Sequence, residues 1–272
     1  SDRDWSSDVC SSDLVPQKTI LFAGVTFMGE SAKILNPDKT VVMADECADC
    51  PMAHMITADR IAEGREEYED LAVVCYVNST AEIKAVSDVC VTSSNAVKVV
   101  SNIPQKNIFF VPDNNLGRYV AEKLPEKHFI FHDGFCHVHK SIHAAELQAA
   151  KDACPDALVL THPECTADVV AMSDFVGSTS EIIDFATQSD CKKFIICTEM
   201  GVFFELQQKN PDKKFYSVGH RQFCPNMKKV TIDKVEQVLE KLGSGELEEI
   251  TLSDEILTRA AKPLQRMLEL AK

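Results

Sequence analysis

Tyr76–Ser94 (YVNSTAEIKAVSDVCVTSS) and His162–Ser180 (HPECTADVVAMSDFVGSTS) decide the fold, because the second stretch repeats the first after 86 residues. Identical residues in the two stretches include Thr80 over Thr166, Ala81 over Ala167, Ala85 over Ala171, Ser87 over Ser173 and Asp88 over Asp174. Each stretch follows an apolar run, Leu71–Cys75 or Ala157–Thr161, that is typical of a buried strand. Self-similarity at a fixed spacing predicts a repeated structural unit.

Two further segments recur with nearly the same period. Pro16–Ile20 (PQKTI) returns as Pro104–Ile108 (PQKNI) after 88 residues. Asn36–Lys39 (NPDK) returns as Asn210–Lys213 after 174 residues, which is twice 87. The chain therefore contains three copies of a unit of about 87 residues, of which the first copy is represented only by its later half.

Alternating strands and helices within each copy predict an α/β fold. We expect three similar three-layer α/β/α domains, with short parallel sheets, arranged around a pseudo-threefold axis. The predicted boundaries are 1–14 for a non-native or disordered leader, 15–70 for an incomplete first domain, 71–155 for the second, 156–240 for the third, and 241–272 for a linker and C-terminal helix. Ser253 is the predicted N-cap of that helix.

The first fourteen residues differ from the rest of the chain. Ser1–Leu14 is rich in Ser and Asp and has no helical or strand period. It resembles a translated sequencing adapter, and a natural disordered leader is the alternative. The repeat places an opening strand of the first copy upstream of Leu14, so we expect the chain to be truncated by about half a domain.

The composition excludes several classes of function. A net charge of −14 argues against nucleic-acid binding and against an anionic membrane surface as partner. No apolar run reaches the roughly 18 residues that span a bilayer, and no secretory signal opens the chain. A cytoplasmic location follows as the expectation. In that compartment disulfides are disfavoured, so the eleven cysteines point towards metal binding or catalysis, or are simply buried apolar residues.

Three cysteines follow the period of the repeat. Cys50, Cys136 and Cys224 are separated by 86 and 88 residues, and each follows the later strand of its copy. Under threefold symmetry they converge on one place. A [4Fe–4S] cluster held by three cysteines leaves one iron able to bind a substrate oxygen. Two alternatives stay open: three buried core cysteines, and a redox pair formed by Cys47 and Cys50.

The chain resembles the quinolinate synthase family over its length from about Leu14. The resemblance rests on ten stretches in order: FMGESAKILNPDKTVVMAD, CPMA, YVNSTAEIKA, DVCVTSSNAV, DNNLGRYVAEK, GFCHVH, HPEC, DFVGSTS, TEMG and CPNMK. It implies condensation of iminoaspartate with dihydroxyacetone phosphate to quinolinate in NAD biosynthesis, at a site between stacked domains. It also implies a [4Fe–4S] cluster on Cys50, Cys136 and Cys224, and an L-aspartate oxidase or aspartate dehydrogenase as the source of iminoaspartate. The family's N-terminal His, Tyr and Asp–Ser have no counterpart here.

The resemblance also implies the residues that contact substrate. They are Tyr76, Asn78, Ser93, His139, His162, Glu164, Ser178 and Thr179. Position in the repeat supports several of them, since ligands of parallel α/β sheets bind beyond the carboxyl ends of the strands. We expect Glu164 to be the general base, His162 its acid/base or orienting partner, and Tyr76 a third catalytic residue. A non-catalytic iron–sulfur or redox-sensing protein and a [4Fe–4S] hydro-lyase with another substrate are the rival functions.

Overall fold

The structure is a computed structural model, and it describes residues 16–219 and 222–272. The predicted leader lies outside these residues. The first unit is a two-stranded parallel sheet of β1 (Thr19–Phe22) and β2 (Thr40–Met43). Helix α1 (Thr26–Leu35) connects these strands, and a 3-10 turn (Pro51–His54) and helix α2 (Ala58–Glu67) follow β2.

The second unit is a four-stranded parallel sheet with strand order β4-β3-β5-β6. Its strands are β3 (Leu71–Tyr76), β4 (Val89–Val91), β5 (Asn107–Val111) and β6 (His128–Phe131). Its helices are α3 (Ala81–Ala85), α4 (Ala96–Ser101), α5 (Asn114–Lys123) and α6 (His137–Lys140). Helix α7 (Ala144–Ala153) follows, and its buried Leu147 packs against Val159 and Ile195 of the next unit. The two inner strands are almost wholly apolar and buried, as expected for a parallel sheet covered on both faces.

The third unit repeats that arrangement with strand order β8-β7-β9-β10. Its strands are β7 (Leu158–Thr161), β8 (Phe175–Val176), β9 (Lys193–Cys197) and β10 (Lys214–Ser217). Its helices are α8 (Ala167–Val170), α9 (Thr179–Gln188) and α10 (Val202–Lys209), followed by a 3-10 turn (Met227–Lys229) and α11 (Ile232–Lys241).

The three sheets pair equivalent strands in the same register, in agreement with the repeat in the sequence. Thr19 pairs with Thr40, Asn107 with His128, and Lys193 with Lys214, so the paired residues are 21 apart in all three sheets. Every pairing within the three sheets is parallel. The predicted α/β fold built from short parallel sheets is confirmed. The domain boundaries remain predictions.

The C-terminal helix α12 (Asp254–Leu270) packs on the second unit. Ala260, Leu264 and Met267 are buried in the same apolar core as strands β3, β4 and β5. As predicted, Ser253 caps the helix, because its hydroxyl accepts a hydrogen bond from the backbone N–H of Ile256 at 3.3 Å. Within residues 16–219 and 222–272, none of the helices is long and apolar enough to cross a bilayer.

Candidate active site

The ends of equivalent strands bring three predicted site residues together. Tyr76 is the last residue of β3, and His162 follows β7 at the position that the repeat makes equivalent. Glu164 lies two residues further, in the turn before α8. Since parallel strands present their carboxyl ends at one edge of a sheet, these side chains face the space where the two sheets meet.

Glu164 is the centre of a buried polar cluster. Its Oε1 accepts a hydrogen bond from the hydroxyl of Tyr76 at 2.7 Å. Its Oε2 lies 3.1 Å from Nδ1 of His139, which is on α6. His162 completes the cluster, with its Nδ1 3.7 Å from Oε1 of Glu164. Glu164 and His162 are 3% and 4% exposed, so water screens these contacts little.

Glu164 and His139 form a buried ion pair. Burial favours the neutral form of both groups, but each charge stabilises the other. Against its burial, the charge of His139 and the hydrogen bonds from His139 and Tyr76 lower the pKa of Glu164. Burial likewise opposes the rise in the pKa of His139, and the charge of Glu164 outweighs it. The second ring nitrogen of His139, Nε2, lies 3.0 Å from the hydroxyl of Thr198, which orients the ring.

His162 is held as a neutral imidazole. Burial is the main cause that lowers its pKa to about 3. The backbone N–H of Glu164 donates to Nδ1 of His162 at 3.3 Å, so the proton of the neutral ring is on Nε2. The rings of His139 and His162 stack with centroids 4.6 Å apart, and a second positive charge there would be repelled by the first.

Asp113 is a buried carboxyl group at this site that the sequence did not single out. It caps α5, where its Oδ1 accepts from the backbone N–H of Leu116 at 2.7 Å, and its Oδ2 accepts from the backbone N–H of Cys136 at 3.1 Å. Burial, and then the charge of Glu164, raise its pKa, while these two N–H groups oppose the rise. Its position after a buried strand and before a helix was the signal available in the sequence.

The three predicted ligand cysteines occupy equivalent places in the three units. Cys50 precedes the 3-10 turn Pro51–His54, Cys136 is the N-cap of α6, and Cys224 lies shortly before the 3-10 turn Met227–Lys229. All three are half-buried. Burial raises the pKa of Cys50 to about 12, with smaller contributions from Cys136 and Glu164, so Cys50 lies within electrostatic range of the polar cluster.

This set of donors fits a thiolate-bound metal group. The sulfur of Cys136, a ring nitrogen of His139 and a carboxylate oxygen of Glu164 all lie within 4.8 Å of one another. Iron–sulfur clusters are held by cysteine thiolates, and Cys50 and Cys136 carry side chains of that type. The backbone N–H of Cys224 donates to Oε1 of Glu199 at 3.2 Å, and the charge of Glu199 contributes to the raised pKa of His139. Cys47, by contrast, is exposed.

The remaining predicted residues follow the carboxyl ends of strands β3, β4 and β8. Asn78 and Ser93 are half-buried and Thr179 is exposed at the first position of α9. Ser178 is buried, and its hydroxyl accepts from the backbone N–H of Glu181 at 3.4 Å in a capping box. The hydroxyl of Ser178 is therefore occupied in stabilising α9, whereas Ser93 and Thr179 hold equivalent positions closer to solvent.

Comparison with known proteins assigns the chain to a family. The family model of the quinolinate synthetase A protein matches residues 10–269. The chain belongs to the quinolinate synthase family. The quinolinate synthase of Fusobacterium nucleatum is 51% identical over 254 residues, which cover 93% of this chain and 83% of that protein. The enzyme of Caldicellulosiruptor saccharolyticus is 47% identical over 99% of this chain and 87% of its own length. The Aquifex aeolicus enzyme is 43% identical over 93% of this chain and 79% of its own length.

Membership in the quinolinate synthase family makes this chain an enzyme and supports a role in NAD biosynthesis. Asp113 and Glu199 lie inside the stretches DNNLGRYVAEK and TEMG, which carried the family resemblance. Neither residue was among the predicted site residues.

Proposed function

We propose that the chain condenses iminoaspartate with dihydroxyacetone phosphate to quinolinate, as a cytoplasmic enzyme supplied with iminoaspartate by an L-aspartate oxidase or an aspartate dehydrogenase. The observation that carries this proposal is the buried cluster of Glu164, His139, His162 and Tyr76, which lies beside the thiol of Cys136. Such a cluster combines a proton acceptor and two proton donors with a metal-ligating sulfur, in a chain of the quinolinate synthase family.

Cys50, Cys136 and Cys224 would hold a [4Fe–4S] cluster in this proposal. When bound, the cluster supplies an iron without a cysteine ligand, which acts as a Lewis acid on a substrate oxygen. The repeated position of the three cysteines, before a short helical turn in each unit, supports this ligand set.

Glu164 and His139 would move the protons of the tautomerisation and dehydration steps. His139 has a raised pKa and holds a proton that it can donate from Nδ1 or Nε2. Once His139 has given up that proton, it no longer carries the positive charge that lowers the pKa of Glu164. The carboxylate of Glu164 then becomes a stronger base. His162, neutral and stacked on His139, would orient the pair and offer its Nε2–H to substrate.

Tyr76 and the hydroxyl groups would bind the substrates. Burial is the main cause that raises the pKa of Tyr76 well above its usual value, so the phenol keeps its proton and donates a hydrogen bond to Glu164. Asn78, Ser93 and Thr179 would receive the carboxylates or the phosphate, with Thr179 at the start of the helix that Ser178 caps. The positive end of a helix dipole favours anions at that position.

The test is anaerobic reconstitution of the chain with iron and sulfide, followed by incubation with both substrates. We expect about four irons per chain, as this cluster type requires, and quinolinate as the product identified by mass spectrometry. Cys136→Ala should lose the cluster and the activity, whereas the exposed Cys47→Ala should keep both. Iron retention by Cys136→Ala, or a different product, would overturn the proposal.

A further inference from the structure

An acidic side chain accepts the backbone N–H of each of the three ligand cysteines. Asp113 Oδ2 accepts from Cys136 at 3.1 Å, and Glu199 Oε1 accepts from Cys224 at 3.2 Å. In the first unit, Asp49 Oδ1 accepts from Cys50 at 2.7 Å. A carboxyl oxygen therefore accepts the N–H of the cysteine in all three units. In the first unit the carboxyl group belongs to the residue directly before the cysteine, whereas in the other two it follows an earlier strand.

Two of these acids are equivalent in the repeat. Glu199 lies 86 residues after Asp113, the same interval that separates the repeated stretches. Each follows the third strand of its unit, β5 or β9, and reaches to the loop after the fourth strand. Each carboxyl group also serves a second backbone N–H close to itself: Leu116 for Asp113 at 2.7 Å, and Gly201 for Glu199 at 2.6 Å.

This arrangement controls the direction of the cysteine side chain. A hydrogen bond from the backbone N–H to a carboxyl group fixes the orientation of the peptide plane. The Cα atom of the cysteine lies in that plane, so the position from which the side chain branches is fixed with it. Asp113 is fully buried, so few other partners can replace the contact. Groups that orient metal ligands in this way affect metal affinity although they never touch the metal.

We infer that Asp113 and Glu199, with Asp49 in the first unit, are positioning residues that hold the backbone of the three cysteines in the orientation needed to retain the metal group. This inference rests on the proposed function, since it assumes that these cysteines are the ligands.

Isosteric amides test the inference. Asp113→Asn and Glu199→Gln keep the size of the side chain but leave one oxygen for two N–H groups, so one N–H faces an NH₂ group. We expect a chelator to strip iron from the reconstituted variants about 10–100-fold faster than from the unsubstituted chain. The readouts are the decay of visible absorption and the iron content per chain, so activity is not needed.

Asp174→Asn is the matched control. Asp174 Oδ2 also accepts a backbone N–H at 2.7 Å, but that N–H belongs to Val159 near the beginning of β7 and not to one of the three cysteines. This variant should leave the rate of iron loss unchanged, because the one oxygen of the amide can still accept the N–H of Val159. Lys228→Gln is a second control, because it removes the 3.3 Å ion pair with Glu199 and leaves both N–H contacts intact.

The outcomes separate the inference from the proposed function. If the unsubstituted chain binds no cluster, the ligand assignment and the proposed function fail. If that chain binds the cluster and Asp113→Asn and Glu199→Gln release iron no faster than Asp174→Asn, the positioning role is overturned and the proposed function stands.

Discussion

Glu164 carries the only carboxyl group that contacts Tyr76, His139 and His162 together among the described residues. Each of these partners interacts differently with a charged and a neutral carboxyl group. The charge on Glu164, more than its volume, is therefore the property on which the proposed proton transfers depend.

Glu164→Gln should lower kcat by about 10²–10⁴-fold, the usual contribution of a positioned acid or base. The amide keeps the size of the side chain and cannot take up a proton at neutral pH. Steady-state quinolinate formation measures the effect, and the iron content shows whether the cluster is retained. Glu82→Gln, at an exposed position on α3, is the control and should leave kcat unchanged. An unchanged kcat in Glu164→Gln would exclude Glu164 as the base.

His162 should make the folded state less stable in mild acid. Its pKa is about 3 in the folded protein against an ordinary value of 6.5, so the unfolded chain binds more protons between those limits. Its contribution to stability is present above the unfolded pKa and is lost as the pH falls. From about pH 6 to about pH 4.5 this loss amounts to about 1.4 kcal/mol per pH unit. Against burial, the charge of Glu164 raises the pKa of His139 in the folded protein, so His139 does not contribute to this loss.

Urea unfolding of the cluster-free chain at several pH values checks this prediction. His162→Gln should show a shallower fall in unfolding free energy between about pH 6 and about pH 4.5 than the unsubstituted chain. His128→Gln, at an exposed position on β6, should keep the original slope. Equal slopes for all three proteins would contradict the assignment of a buried neutral imidazole to residue 162.

The sequence pattern indicated some residues of the candidate site but not Asp113, and the difference has a physical reason. Tyr76 ends β3, and His162 and Glu164 follow β7. These two strands correspond in the repeat, so the position of the three residues at strand ends was visible in the pattern. Asp113 has the sequence pattern of an ordinary helix cap, which it also is. Its second contact, with the N–H of Cys136, joins residues 23 apart and depends on how β5 and β6 lie in the folded sheet.

At the scale of elements, the repeat predicted an α/β fold with short parallel sheets, and the structure has them. Three parallel pairs with the same 21-residue offset follow from three copies of one strand–helix–strand segment. The sequence could not predict how the short helices use their caps. Ser178 was expected to bind substrate, and its hydroxyl is engaged in the capping box of α9.

Ser178→Ala should therefore affect stability more than substrate binding. Loss of an N-cap hydroxyl costs about 1 kcal/mol, and the change should leave the KM of both substrates within a small factor. Thr179→Ala, one residue further and exposed, is the matched variant. It should raise the KM of one substrate and leave the unfolding free energy within about 0.5 kcal/mol. The reverse result would assign substrate binding to Ser178 and a structural role to Thr179.

At the scale of the whole molecule, the cluster around Glu164 connects two sheets. Tyr76 ends β3 in the second unit, whereas Glu164 follows β7 in the third, and the residues of this contact are 88 apart in sequence. His139 contacts Glu164 and Thr198, so it also lies across the junction. The polar cluster forms only when these two units are packed together, because neither unit contains all of its members.

A double-mutant cycle measures how strongly Tyr76 and Glu164 couple the two units. Tyr76→Phe removes the donor and Glu164→Leu removes the acceptor of a buried 2.7 Å hydrogen bond to a charged group. Urea unfolding of the two single variants and the double variant should give a coupling energy of about 1.5–3 kcal/mol. The control cycle combines Tyr76→Phe with Glu205→Gln, an exposed residue on α10 that pairs with Lys209, and should be additive within about 0.5 kcal/mol. A Tyr76–Glu164 cycle that is equally additive would mean that this hydrogen bond does not join the units energetically. The contacts of His139 with Glu164 and Thr198, together with apolar packing, would then join the units at the proposed site.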